Sequence, residues 1–139
     1  GILYMVNTKI IIIIAVSAAI LIGGVYSIKY MLDLKKYKET INGINIENVD
    51  LSKVKDGNYT GNFDAIFIGA EVNVKVEDHK IIDIQLVKHK NERGKNAEII
   101  PERVVQAQSL QVDAVSGATN SSKVILKAIE NALESGENN

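Results

Sequence analysis

The stretch Asp113-Ala114-Val115-Ser116-Gly117-Ala118-Thr119 gathers residue types that can hold or bond a phosphate. Gly117 has no Cβ, so it can take a positive φ and let backbone approach an anion. Ala118 keeps the surroundings small. An amphipathic helical pattern follows at once. A helix N-terminus offers unpaired N–H groups and the positive end of the helix dipole. A threonine hydroxyl there can hold a phosphate by hydrogen bonding or be joined to it covalently. Ser116 suits the phosphate or a local cap. Asp113 cannot usefully bind an anion, and its carboxylate suits backbone N–H groups that set the turn. Taken alone, the residues also allow an ordinary loop ending in a helix cap.

The run D-A-V-S-G-A-T resembles the flavin-attachment motif of the FMN-binding domain family. That family includes the flavin-carrying subunits of sodium-translocating NADH:quinone reductases and their ferredoxin-oxidising relatives. The resemblance extends upstream to Asp56-Gly57-Asn58-Tyr59-Thr60-Gly61 and Ala107-Gln108-Ser109, and covers about residues 54 to 134. It implies FMN as cofactor, joined to Thr119 through a phosphoester, with Asp113, Ser116, Gly117 and Ala118 around it. It also implies a separate flavin transferase that installs the group from FAD, for which Asp113 would be a recognition point. Many members carry a Glu-Thr-Pro-Gly loop. This chain keeps Glu92 and Gly94 but has Arg93 and lacks the Thr-Pro pair. Arg93 and Lys95 could face an anionic phosphate or reduced flavin, or the run could simply be solvated.

A chain of 139 residues with net charge −1 has no basic surplus for nucleic acid. It has no cysteine, which removes disulfides, thiolate metal ligands and thiol nucleophiles. His79 and His89 have no local cluster of further ligands, so a metal site is not expected.

The elements that must position the motif begin with residues 10–28, an uncharged apolar run. At about 1.5 Å per residue it nearly spans a bilayer core of about 30 Å. The reading is a transmembrane anchor after an N-terminal flank, 1–9. A buried core helix and a cleaved signal peptide are its rivals. Residues 29–55 read as a membrane-proximal spacer, with Tyr30 and Tyr37 at the headgroup level and helix continuing over Lys35 to Ile41 until Asn42-Gly43. Its lysines suit anionic lipid or a solvated stalk. They lean towards a cytoplasmic domain by the positive-inside rule, whereas the family resemblance implies an extracytoplasmic one, which is the reading taken.

The domain, 56–139, reads as α+β: a small antiparallel sheet packed against two or three helices. Tyr59 to Ile68 is extended. Val72, Val74 and Val76 alternate with Glu71, Asn73 and Lys75, as in a strand with one wet face. Asp78-His79 turns the chain, and Ile81 to Lys88 returns with Ile82, Ile84 and Leu86 inward. Pro101 suits the first turn of a helix, continuing to Gln108, and Ser109 to Val112 delivers the motif. Asn120 or Ser121 is expected to cap the last helix. That helix buries Val124, Ile125, Ala128, Ile129, Ala132 and Leu133 and stops near Gly136, before the polar tail Glu137-Asn138-Asn139. Beyond residue 47 the aromatics are Tyr59, Phe63 and Phe67, so a flavin ring would rest on these or on aliphatic side chains.

The expectation is therefore a single-pass membrane flavoprotein that acts as an electron-transfer module, with redox partner proteins in or at the membrane. It shows no nucleophile–base pair and no nicotinamide-binding glycine pattern, so a stand-alone enzyme is not the reading. A non-covalent FMN sensor or carrier, a flavin-free anchored interaction domain and a flavin reductase are the alternatives.

Overall fold

The computed structural model describes residues 2–137, with side chains from Asn7 onward; Gly1 and the tail residues Asn138 and Asn139 lie outside them. The chain divides into two compact units, the first ending at Lys36 and the second starting at Tyr37.

Helix α1 runs over Ile2–Asn42. Its uncharged stretch exposes isoleucines on every side, Ile10 to Ile14 among them. An apolar helix without a buried face has no packing partner of its own, which argues against a soluble core helix. It is long and apolar enough to cross a membrane.

The second unit holds the sheet. Strands β1 (Gly57–Asp64), β2 (Gly69–Glu77) and β3 (Lys80–Lys90) form an antiparallel meander in the order β1-β2-β3. Val72, Val74 and Val76 are fully buried, as their alternation requires. The β2–β3 turn puts Asp78 and His79 at φ 52° and 60°. This is the two-residue turn whose twist matches the flanking strands. Aspartate and histidine tolerate that region better than most residues. The turn is tied down from outside: Asp78 N–H donates to Asp56 Oδ1 at 2.8 Å. His79 Nδ1 lies 3.2 Å from both the Leu51 and Val54 carbonyls.

One inward assignment fails. Ile82 is exposed, and Ile81 takes the buried position. The register explains it, because Lys75 faces Asp83 while Val76 faces Ile81. Ile82 is the extra residue of a bulge, and alternation restarts after it. A second register shift, between Glu71 and Val72, leaves Val87 outside in the same way.

Helices α2 (Ile100–Ala107) and α3 (Thr119–Gly136) complete the unit, with Pro101 in the first turn of α2. Every α3 residue expected in the core is buried, from Val124 to Leu133. At Gly61 the helix lies directly on β1: a Cβ there would run into the Ala128 carbonyl and Ala132. Gly136 makes the same close approach to the Tyr59 ring.

Residues 37–55, expected as spacer, are built into this unit. Ile41, Val49 and Val54 are buried in its core. Glu130 on α3 is 2% exposed. Its carboxylate accepts from Glu47 N–H at 2.7 Å and pairs with Lys127 Nζ at 2.7 Å. Lys127 also donates to the Asn45 carbonyl at 3.2 Å. Asn48 Oδ1 accepts from Leu110 N–H at 3.2 Å. Such a segment orders because its polar backbone finds partners as its apolar side chains leave water.

Each buried aliphatic side chain contributes about 1.5–3 kcal/mol, against a total stability of about 5–15 kcal/mol for a typical domain. A fragment beginning at Tyr37 is therefore expected to melt cooperatively, and one beginning at Asp56 to show no sharp transition. Circular dichroism melts of the two fragments check this, and equal melting temperatures would refute the structural role of residues 37–55.

Candidate functional site

The first turn of α3 is where the motif ends. The helix starts at Thr119, with Ala118 at the N-cap position and no side-chain cap. The expected caps are engaged elsewhere. Asn120 Nδ2 donates to the Tyr37 hydroxyl at 3.0 Å. Ser121 Oγ lies 3.1 Å from His89 Nε2. The first intrahelical bond runs from Ser122 N–H to the Ala118 carbonyl at 2.9 Å. The N–H groups of Thr119, Asn120 and Ser121 therefore have no carbonyl within the helix. No acidic residue stands in this first turn to compete for the positive helix end.

The turn before the helix is set by Ser122, not by Asp113. Ser122 Oγ accepts from Val115 N–H at 3.0 Å and donates to the Ala118 carbonyl at 2.8 Å. Ala118 N–H donates to the Val115 carbonyl at 2.9 Å. Asp113 is exposed and makes no hydrogen bond among the described residues. Ser116, Gly117 and Thr119 are likewise exposed, while Ala118 is buried. Gly117 has φ 79°, and a Cβ built on it would meet nothing within 4 Å. The glycine is therefore needed for its backbone conformation and not for lack of room. The motif thus joins an accessible threonine hydroxyl, open space at Gly117 and three N–H groups at a helix start. That combination fits a phosphate or phosphoester.

Behind this turn lies a polar chain that the sequence did not announce. His89, at the end of β3, has a side chain only 2% exposed. Its Nδ1 lies 2.8 Å from Glu98 Oε2. The carboxylate can only accept, so Nδ1 carries a proton towards it, and Nε2 faces the Ser121 hydroxyl. Gly94 completes the contact. A Cβ on Gly94 would collide with Ser121, its Cβ only 2.6 Å away. Gly94 N–H donates to Asn91 Oδ1 at 3.1 Å. The polar loop therefore seats on the first turn of α3, with Arg93 and Lys95 exposed on either side of Gly94.

Of the aromatics expected near a flavin, Tyr59 packs on Gly136 at the far end of α3. Phe63 packs against the core. Phe67 alone lies with the motif, edge-on to Tyr37 at 5.4 Å between centroids and 62° between planes. Tyr37, expected at headgroup level beside Tyr30, is committed to the domain through Phe67 and Asn120. Among the described residues no group of His, Asp and Glu could hold a metal ion.

Gln108, part of the upstream pattern, has a structural position. It sits in the left-handed region at the end of α2, with φ 53°. Its side-chain amide bonds both backbone groups of Ile81, at 2.8 Å each.

Residues 67–134 match the family model described as the FMN-binding domain. The chain is also 32% identical over 92 residues to an NADH:acrylate oxidoreductase of Vibrio harveyi. That match covers 64% of this chain and 9% of the relative, so the chain spans about a tenth of the length of the protein it resembles.

Substituting Gly94 by alanine drives a methyl group into Ser121. Overpacking of this kind costs about 1–3 kcal/mol. Gly94→Ala is expected to lower the melting temperature and reduce flavin incorporation. Gly117→Ala, which has room, is expected to act through backbone strain alone and to leave the loop–helix contact intact. Thermal melts and flavin content per chain distinguish the two.

Proposed function

Residues 67–134 belong to the FMN-binding domain family and take FMN as cofactor, and from that premise we propose a membrane-anchored electron-transfer flavoprotein whose FMN is joined to Thr119. The observation that carries this reading is the exposed Thr119 hydroxyl at the first residue of α3, beside the open turn at Gly117. Thr119 Oγ forms a bond to the flavin-side phosphorus of FAD, the pyrophosphate bond breaks, AMP leaves, and the hydroxyl proton passes to a base of the flavin transferase. The free N–H groups of Thr119, Asn120 and Ser121 would hold the phosphodiester. Ser122 holds the turn, and His89 with Gly94 holds the loop against Ser121.

Bound FMN supplies reversible one- and two-electron chemistry, and the chain's residues fix its position and surroundings. A phosphate linkage leaves the ring electronics to the protein and prevents loss of the cofactor. The oxidoreductase named as a relative supports a redox role. Donor and acceptor are partner proteins in or at the membrane. Helix α1 supports anchoring by its length and apolar surface. We assign the flavin domain to the extracytoplasmic side, consistent with the family resemblance and against the lysines after the helix.

The test is intact mass of the full chain co-expressed with an active flavin transferase, beside Thr119→Val. The expected result is a gain of FMN minus water in the parent only, with flavin fluorescence that survives a denaturing gel. Flavin retained until denaturation would replace the covalent reading with a non-covalent carrier. No flavin under either condition would sink the electron-transfer role. Protease treatment of intact cells tests sidedness separately: digestion of the domain is expected, and protection would reverse the orientation only.

A further inference from the structure

The structure carries a candidate for the surface on which the flavin ring rests. The inference depends on the phosphate position proposed at Thr119. A ring tethered there by its ribityl chain must lie near the N-terminal end of α3.

The run of β1 along α3 decides which aromatics are within reach. Tyr59 lies against Gly136, and Gly61 lies against Ala128 and Ala132. Asn131 Nδ2 donates to the Asn62 carbonyl at 2.9 Å. The strand therefore advances from the C-terminal end of α3 towards its N-terminal half, and the turn 65–68 follows. Tyr59 stands about 25 Å along the helix from Thr119, at 1.5 Å per residue. Phe63 and Tyr37 both pack against the core, but Tyr37 also reaches the motif: its hydroxyl accepts from Asn120, the residue after Thr119, and its ring meets Phe67.

The turn that presents Phe67 is strained. Ile66 has φ 71°, a region that β-branched residues rarely enter. Phe67 N–H donates to the Ala65 carbonyl at 2.9 Å, closing a three-residue turn around Ile66. Two further bonds hold it. Ala65 N–H donates to the Ile68 carbonyl at 2.8 Å, and Ile66 N–H to Asp64 Oδ1 at 3.0 Å. Strain of this kind persists only where surrounding contacts impose it, and such outliers cluster at ligand clamps. Both Tyr37 and Phe67 are half-buried. At 62° to one another they form a corner, one ring offering a face and the other an edge. A planar heteroaromatic ring is the ligand shape that such a corner accommodates.

We propose that Tyr37 and Phe67 form the isoalloxazine contact of this domain, with Asn120 as the positioning residue that orients Tyr37. A phenol in van der Waals contact with an excited flavin passes it an electron and takes it back, which quenches emission. The proposal therefore has a readout independent of turnover.

The full chain is loaded with flavin by the transferase and held in detergent micelles. Emission is compared among the parent, Tyr37→Phe, Phe67→Leu and Tyr59→Phe. The expected pattern is weak emission in the parent, a several-fold rise in Tyr37→Phe, and no change in Tyr59→Phe. Phe67→Leu is expected to shift the visible absorption bands and to make the ring more accessible to iodide. The adduct mass stays the same throughout. Tyr37→Phe keeps the ring and removes only the hydroxyl, so its thermal melt reports whether the fold survives; if it does not, Asn120→Ala gives the same comparison with Tyr37 intact but released. Equal emission in parent and folded variant, with the adduct present, would overturn the proposal. If the parent carries no adduct, the attachment at Thr119 fails, and FMN titrated into the apo chain tests the ring contact separately. Quenching in the parent and not in Tyr37→Phe upholds it, and identical titrations reject it.

Discussion

The closeness of α3 to the sheet governs the geometry of this domain. Helices and strands normally keep a side chain between their backbones. At Gly61 there is none, and the Ala128 carbonyl and Ala132 lie on the strand itself. Small residues on both sides fix the helix depth at that point. Thr119 lies about two and a half turns away, at 3.6 residues per turn, so its height above the sheet is set by the same contact. Rotation of the helix is set by Glu130. A carboxylate this deeply buried is tolerable only with its bonds satisfied, and the Glu47 N–H and Lys127 that satisfy it hold one face of α3 against residues 45–47.

Residues that carry the family pattern divide between scaffold and site. Gly61 and Gln108 are scaffold. The Gln108 amide donates to and accepts from Ile81 as a paired strand residue would, beside the bulge that interrupts the ladder. Gly94 lies between the two roles, because its missing Cβ lets the loop rest on the first turn of α3. Gly117 and Thr119 remain open to solvent. Tight packing behind the site and open space in front of it suit a large cofactor held at one end. The contacts behind Gly117 and Thr119 are made within the chain itself, so a ligand held there would order few side chains.

What could be read from sequence follows the range of the contacts. The valines of β2 and the apolar stripe of α3 were legible because periodicity reports which face is buried. Ile82 was misassigned because a bulge is a property of two paired strands, and one strand's pattern does not contain it. The cap of α3 was misassigned because Asn120 and Ser121 have partners 83 and 32 residues away, Tyr37 and His89. Nothing near His89 in sequence signals its burial between Glu98 and Ser121. Asp56 is a bend that leads into β1 at Gly57, yet residues 37–55 belong to the unit, since apolar residues such as Ile41, Val49 and Val54 carry no periodic signal over so brief a stretch. The local geometry of the motif, a bend at Gly117 followed by a helix start at Thr119, was legible, whereas its surroundings, Tyr37 and Phe67 among them, depend on tertiary contacts.

The two bulges of β3 have a further effect. β3 is an edge strand on which Gln108 already takes the backbone groups of Ile81, and it carries two exposed apolar side chains, Ile82 and Val87. Such an edge is a template on which a second chain can add a strand. Each bulge breaks the even spacing of donors and acceptors that an incoming strand would need and twists the edge away from it. The residues displaced outward are the bulge residues themselves, so the apolar surface and the interruption coincide. Lys80, Lys88 and Lys90 add like charge along the same strand. Copies crowded together on one surface can therefore collide at this edge without zipping into a shared sheet.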